Sequence, residues 1–271
     1  MPGLKGVVLA GGEGKRFRPL TYYFQKCMIP VGEEQRPILE YIVRLLGHHG
    51  VSDLVLLVGY RYQQVVNYFD GGERFGVRME YVLDDPELKG SANAILNAYR
   101  RGAISRDDTL VIYYGDIISS IDLGMMLAKH REIGAVATIA LASGFNVSVG
   151  TAELDGDRIV KFVEKPDLNK PVSIGVLVLE GSVLDEMERL NGAGQFKSFD
   201  LMGDVVSYLV EKGFKLGAYV TDASGTTWAA LSGTRGWTTR SSPRPWDSYS
   251  NYYHCRRLKK FLFQPPSLLT G

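Results

Sequence analysis

Val7-Val8-Leu9-Ala10-Gly11-Gly12-Glu13-Gly14-Lys15-Arg16-Phe17-Arg18-Pro19-Leu20-Thr21 is an apolar run that stops on glycine and passes directly into a cluster of cations. Four apolar residues ending on glycine suit a buried strand. Glycines just after a first strand let backbone N–H groups wrap a phosphate closely. The two commonest glycine loops do not fit. A dinucleotide loop wants a third glycine where Phe17 stands, and a P-loop wants Ser or Thr after its lysine, where Arg16 follows Lys15. What remains is a glycine loop, by itself a tight turn, with Lys15, Arg16 and Arg18 around it and Lys26 beyond. The added cations favour a phosphate.

Outward from this loop, strand and helix patterns alternate. Apolar spacing predicts helices over 38–46, 63–69, 91–99 and 123–130, and strands over 54–58, 77–83, 110–114 and 135–141. Such alternation means βαβ units and a mostly parallel sheet covered on both faces. A hairpin is expected from 151–154 and 158–163 across Asp155-Gly156-Asp157, then a strand over 174–179, helices over 183–190 and 201–212, and a strand over 215–220. This α+β half would complete the same sheet and close over a cleft. Ligands in such sheets sit at the carboxyl ends of the strands, where Gly11-Gly12 and Gly115-Asp116 fall. Asp116 ends an apolar strand, where a carboxylate has no packing use; its plain alternative is the N-cap of the helix that begins near Ile121. Ser91 reads equally well as an N-cap. His48, His49 and His130 are expected at surface helix ends, without a role.

The chain has 271 residues, 45% of them apolar and 23% charged, which is ordinary globular composition. Cys27 and Cys255 are its two cysteines, too few for a four-cysteine zinc site or a disulfide framework. Neither a signal-peptide pattern nor an apolar run of about 20 residues occurs, so a cytoplasmic protein with no membrane partner is expected. The net charge of +1 conceals a split: residues 223–271 carry seven Lys/Arg and one acid, and all three tryptophans.

The glycine loop resembles that of the sugar-1-phosphate nucleotidyltransferases, whose signature is Gly-Gly-x-Gly-Thr-Arg-Leu-x-Pro-Leu-Thr followed by Pro-Lys. Gly11, Gly12, Gly14, Arg16, Pro19, Leu20, Thr21 and Lys26 match, while Lys15, Phe17 and Gln25 depart. The resemblance continues through Gly90-Ser91-Ala92-Asn93-Ala94, Gly115-Asp116, Gly150 and Glu164-Lys165-Pro166. It implies an α/β fold with a Rossmann-like, doubly wound, mostly parallel (mixed) sheet and an inserted α+β sugar-binding portion. It also implies transfer of a nucleoside monophosphate from an NTP to a sugar-1-phosphate, releasing pyrophosphate by Mg2+-assisted in-line displacement.

By that resemblance Gly11, Gly12 and Gly14 would hold the triphosphate, Arg16 would clamp its outer phosphates and Lys26 would neutralise the reacting ones. Asp116 would hold Mg2+, and Gly90 and Ser91 would approach the nucleobase. Glu164 and Lys165 would contact the sugar phosphate, with an exposed ion pair as the plain alternative. Gly150 and Ser173 would line the sugar pocket. Base and sugar are left open, as is a homo-oligomer.

The family's next motif, roughly Trp-x-Asp-x-Gly-Thr-Pro-Glu with a second metal carboxylate, is missing after Asp222. One nucleotide restored before the Ser224 codon lets 224–235 read Phe-Trp-Tyr-Asp-Val-Gly-Ser-Thr-Glu-Arg-Tyr-Glu. The expectation is therefore a nucleotidyltransferase domain over 1–222 and an out-of-frame, poorly ordered basic tail over 223–271. A genuine tail would instead suggest a catalytically silent sugar-nucleotide-binding subunit. Nucleic-acid binding through the tail ranks last, and no nucleic-acid partner is expected.

Overall fold

The computed structural model describes residues 3–143, 151–164, 170–192, 196 and 198–221, with the backbone of 225–227. The first half runs β1 (Leu4–Ala10), the short β2 (Pro30–Val31) and β3 (Arg36–Pro37), α1 (Ile38–His48), β4 (Asp53–Val58), α2 (Tyr62–Phe69), β5 (Arg78–Leu83), α3 (Ser91–Arg100) and β6 (Thr109–Tyr114). It continues through β7 (Ile117–Ser119), α4 (Leu123–Ile133), β8 (Ala137–Ala142), the hairpin β9 (Thr151–Asp155) and β10 (Arg158–Val163), and β11 (Val172–Glu180). Then come α5 (Val183–Asn191), a π-helical stretch over Leu201–Val206 that continues as α6 (Ser207–Glu211), β12 (Leu216–Thr221) and β13 (Gly225–Thr227).

Seven strands form one sheet in the order β12-β8-β11-β6-β1-β4-β5. All neighbours are parallel except β11, which runs antiparallel to both β6 and β8. The expected mixed, mostly parallel sheet is thus present, and the second half completes it through β8, β11 and β12. Strand residues divide cleanly between two cores. Val8, Leu54, Leu56, Val111 and Tyr113 face α1, α2 and α4. Val7, Val55, Leu57, Leu110 and Ile112 face α3, α5 and the Leu201–Glu211 helix. Burial on both faces explains why these strands read as continuous apolar runs rather than alternating ones.

β4 lies on one side of β1 and β6 on the other. The chain therefore switches direction across the sheet between β1 and β6, opening a crevice beyond their carboxyl ends. Two local expectations change. His130 is buried, not at the surface: it lies one turn along the stripe of Leu123, Met126 and Leu127, bonded to Thr138 Oγ1 and Glu180 Oε1, each at 2.8 Å. Asp122 caps α4, its side chain accepting the Met125 N–H at 2.9 Å, so Asp116 is not that cap.

Leu56 lies on a central strand and is fully buried. Leu56→Ala is expected to cost about 2–5 kcal/mol, from lost transfer energy and the cavity left behind. Urea denaturation followed by circular dichroism measures it; a cost under about 1 kcal/mol would contradict this account of the core.

Candidate active site

β1 and β6 are paired in parallel with Leu9 opposite Tyr114, so the Gly11 and Gly115 loops leave the same edge. The Gly115 N–H donates to the Leu9 carbonyl at 3.0 Å. A Cβ on Gly115 would stand 2.8 Å from that oxygen and 2.9 Å from Cys27 Sγ, so this approach requires glycine. Burial pushes the Cys27 thiol up to about 12, with Asp116 nearby adding to the effect. Cys27 packs the crevice floor and supplies no thiolate.

Gln25 directs the segment that follows. Its amide is fully buried; Nε2 donates to the Ala10 carbonyl and Oε1 accepts the Cys27 N–H. Its own N–H donates to Gln64 Oε1 at 2.7 Å. Held this way, Lys26 turns its ammonium onto Asp116 Oδ2, and the Phe17 ring centroid lies 5.0 Å from Nζ. Gly14 adopts the left-handed conformation, φ +62°, with its carbonyl accepting Thr21 Oγ1 at 3.0 Å. Gly14, Lys15, Arg16, Phe17 and Lys26 line a cavity of ≈ 240 Å³.

The four cations of the loop differ in their partners. Lys15 and Arg18 reach Glu13 at 3.2 and 3.6 Å, and Lys26 holds Asp116. Arg16 is exposed, and no described residue partners its guanidinium. The structure therefore brings together Gly11, Gly14, Arg16, Lys26 and Asp116, with Gly12 exposed and a Cβ there meeting nothing within 4 Å. Among the described residues no group of three or more His, Cys, Asp or Glu could hold a metal by itself. Asp116 nevertheless has the donor chemistry for Mg2+, which takes one or two carboxylates with phosphate oxygens and water. The Lys26 ammonium on Oδ2 marks this carboxylate as a seat for positive charge.

The remaining predicted residues fare differently. Gly90, φ +102°, precedes α3, and a Cβ there would lie 2.1 Å from the Phe199 carbonyl oxygen. Ser91 is not an N-cap. Its hydroxyl donates to Asp200 Oδ2 at 2.7 Å and accepts the Leu201 N–H at 2.9 Å, tying α3 to the π-helical stretch. Ser173 lies on β11 beyond the carboxyl end of β6, its Oγ accepting the Gly175 N–H at 3.3 Å. Glu164 is exposed at the end of the β9–β10 hairpin. Gly150 and Lys165 lie outside the described residues, as does the tail apart from 225–227, whose backbone pairs antiparallel with β7.

Sequence reasoning missed Asp84, which follows β5 at the same edge. A Cβ on Gly11 would meet its Oδ2 at 1.7 Å and one on Gly59 at 2.7 Å, so two glycines make room for the carboxylate. Burial pushes it up to about 6. In the sequence Asp84 stands beside Asp85 and near Glu87, and which acid turns inward is decided by the sheet.

Comparison with known proteins gives the class. The family model described as nucleotidyl transferase matches residues 5–238, and the chain belongs to that family. It is 32% identical over 228 residues to a UTP–glucose-1-phosphate uridylyltransferase of Synechocystis, covering 78% of this chain and 56% of the relative. It is 31% identical over 185 residues to a mannose-1-phosphate guanylyltransferase of Mycobacterium tuberculosis, covering 67% and 50%. The chain thus spans about half the length of these relatives. A Bacillus anthracis structure described as a glucose-1-phosphate thymidylyltransferase in complex with sucrose shares the fold, with TM-score 0.66, 22% identity, and coverage of 89% of this chain and 98% of that one. No helix among the described residues is long and apolar enough to cross a membrane.

Asp84 gives a pH-dependent prediction. Its carboxyl titrates higher in the folded protein than in the unfolded chain, so the ionised form opposes folding at neutral pH. That burden fades as pH falls through about 6 and is gone near about 4. Asp84→Asn is expected to melt above the parent at about pH 7.5 and level with it near about pH 4. Thermal unfolding across that range tests this, and a constant gap would contradict it.

Proposed function

We propose that this chain transfers a nucleoside monophosphate from an NTP to a sugar-1-phosphate. A phosphate oxygen of the sugar-1-phosphate attacks the α-phosphorus of the NTP, the bond to the β-phosphate breaks, and pyrophosphate leaves. The observation that carries this reading is the meeting of Gly14, Lys26, Asp116 and Arg16, whose guanidinium no described residue partners, beyond the carboxyl ends of β1 and β6. Two polyanions must be brought together there, and preorganised positive charge offsets their repulsion and the charge that develops on the transferring group.

Gly11, Gly12 and Gly14 offer backbone N–H groups to the triphosphate. Arg16, whose planar guanidinium can engage two oxygens at once, clamps its outer phosphates. Lys26 moves from Asp116 to the α-phosphate and the attacking phosphate. Asp116 would hold Mg2+, which would supply further charge neutralisation to the phosphate oxygens. Gly90 and Ser91 border the nucleobase, and Glu164, Lys165, Gly150 and Ser173 serve the sugar phosphate. For Ser91 the contribution is positional, since its hydroxyl is already committed to Asp200 and Leu201.

The reading is tested by pyrophosphate release with each NTP against glucose-1-phosphate and mannose-1-phosphate. Release should require both substrates and Mg2+. Arg16→Ala and Lys26→Ala are each expected to lower kcat by about 100-fold or more, the loss typical of removing one charge-stabilising donor. Release from an NTP alone, or full activity in both variants, would overturn it.

The tail enters the same reading. β13 stands antiparallel to β7 with Thr227 opposite Ile117, the residue that follows Asp116. Position 227 is also where the restored frame reads Asp. Thr227→Asp is expected to raise Mg2+-dependent turnover and to tighten Mn2+ binding measured by electron paramagnetic resonance. No gain in either would remove the chemical basis of the out-of-frame reading.

A further inference from the structure

Tyr22, Tyr23 and Phe24 lead from the glycine loop to Lys26 with their side chains 50%, 71% and 41% exposed. Burial therefore does little to hold this turn, although the ammonium it delivers must meet a reacting phosphate. Its backbone is held instead, and the junction of β4 and α2 supplies the partners. Tyr60 Oη donates to the Thr21 carbonyl at 2.9 Å, the Arg61 guanidinium to the Tyr22 carbonyl, and Gln64 Nε2 to the Tyr23 carbonyl at 2.7 Å. Three successive carbonyls are thus taken by three side chains at the start of one helix.

The same junction holds the glycine loop, since the Tyr60 N–H donates to the Gly11 carbonyl at 3.0 Å. Arg61 takes the left-handed backbone, φ +53°, and from there its side chain reaches the turn. Such a conformation in a non-glycine residue persists where its surroundings over-determine it. Gln64 differs from the other two in gripping the turn twice, with Nε2 on the Tyr23 carbonyl and Oε1 on the Gln25 N–H at 2.7 Å. The second grip falls on the residue directly before Lys26, whose own amide is buried and committed to Ala10 and Cys27. A shift of Gln25 therefore moves Lys26 relative to the glycine loop and Asp116.

We propose that Gln64 is a positioning residue of the transfer reaction, setting the Lys26 ammonium through the backbone of Gln25. This rests on the nucleotidyl-transfer reading above. In that reading Lys26 meets charge that develops as the α-phosphate transfers, whereas the glycine loop and Arg16 hold the bound triphosphate. Misplacing Lys26 therefore weakens the transition state more than the bound NTP. A purely structural contact would change stability and leave Lys26 as it was.

Pyrophosphate release is compared for the parent, Gln64→Met, Gln64→Glu, Lys26→Ala and the double variant Gln64→Met/Lys26→Ala, with folding checked by circular dichroism. Methionine keeps the length of the side chain and removes both hydrogen bonds, while glutamate keeps an acceptor for the Gln25 N–H. Gln64→Met is expected to lower kcat about tenfold or more, with KM for the NTP within about twofold of the parent. Gln64→Glu should recover most of that loss. In the Lys26→Ala background Gln64→Met should cost under about twofold, because the group it positions is gone. A second readout needs no turnover: acetylation of Lys26 by acetic anhydride, followed by peptide mass spectrometry, should quicken in Gln64→Met as the ammonium loosens from Asp116. Equal losses from Gln64→Met with and without Lys26, or Lys26 acetylation unchanged by the variant, would overturn the assignment and leave the transfer reading standing. A parent chain that releases no pyrophosphate with any substrate pair would remove both.

Discussion

The buried amide of Gln25 is the constraint on which the phosphate-facing side of this protein depends. It joins the carbonyl that ends β1 to the turn that begins with Lys26, while its backbone N–H is held by Gln64 of α2. Ala10 directly precedes Gly11, and Lys26 directly follows Gln25. One side chain thereby fixes the spacing between a glycine loop, which has backbone N–H groups to offer, and the Lys26 ammonium. A buried donor or acceptor left unpaired costs about 1–3 kcal/mol, so the amide has little freedom to choose other partners. This chain obtains a defined turn here from hydrogen bonds.

The electrostatics follow from that turn. In the free protein Lys26 and Asp116 satisfy each other, each side chain about one-fifth exposed. A partly buried ion pair contributes little net stability, because desolvation offsets much of its attraction. Exchanging it for other partners is therefore feasible, but the exchange is coupled. A phosphate that draws Lys26 away leaves Asp116 unbalanced, and a cation that takes Asp116 releases Lys26. Each binding event favours the other by the same factor. Arg16 stands outside this exchange, with no described carboxylate to leave, and is the cation free to make first contact with an incoming polyanion.

Much of the fold was legible because parallel strands buried on both faces announce themselves as apolar runs, and glycine punctuates the loop where backbone must approach backbone. Gly11 and Gly14 stood out for that reason, whereas Lys26 and Asp116 were singled out chiefly by the family resemblance. Gln25 appeared only as a departure from a motif, since its partners Ala10 and Gln64 are tertiary neighbours. Ser91 carried a local capping signal, yet its partner Asp200 lies 109 residues away, a distance no local rule spans. His130 is a different kind of miss. Leu123, Met126, Leu127 and His130 recur at helical spacing, so the periodicity already placed the histidine on the buried stripe, and its polarity outweighed that signal in the reading.

Two carboxylates at one sheet edge have been given opposite surroundings. Asp116 lies beside an ammonium, so its charge is balanced within the protein and can be lent to a bound cation. Asp84 is packed on the bare backbone of Gly11 and Gly59, so its charge is balanced by nothing described and is available only to an outside donor. The fold can carry that cost because the load-sharing sheet is covered by two separate cores, while the cost is confined to a loop beyond its edge.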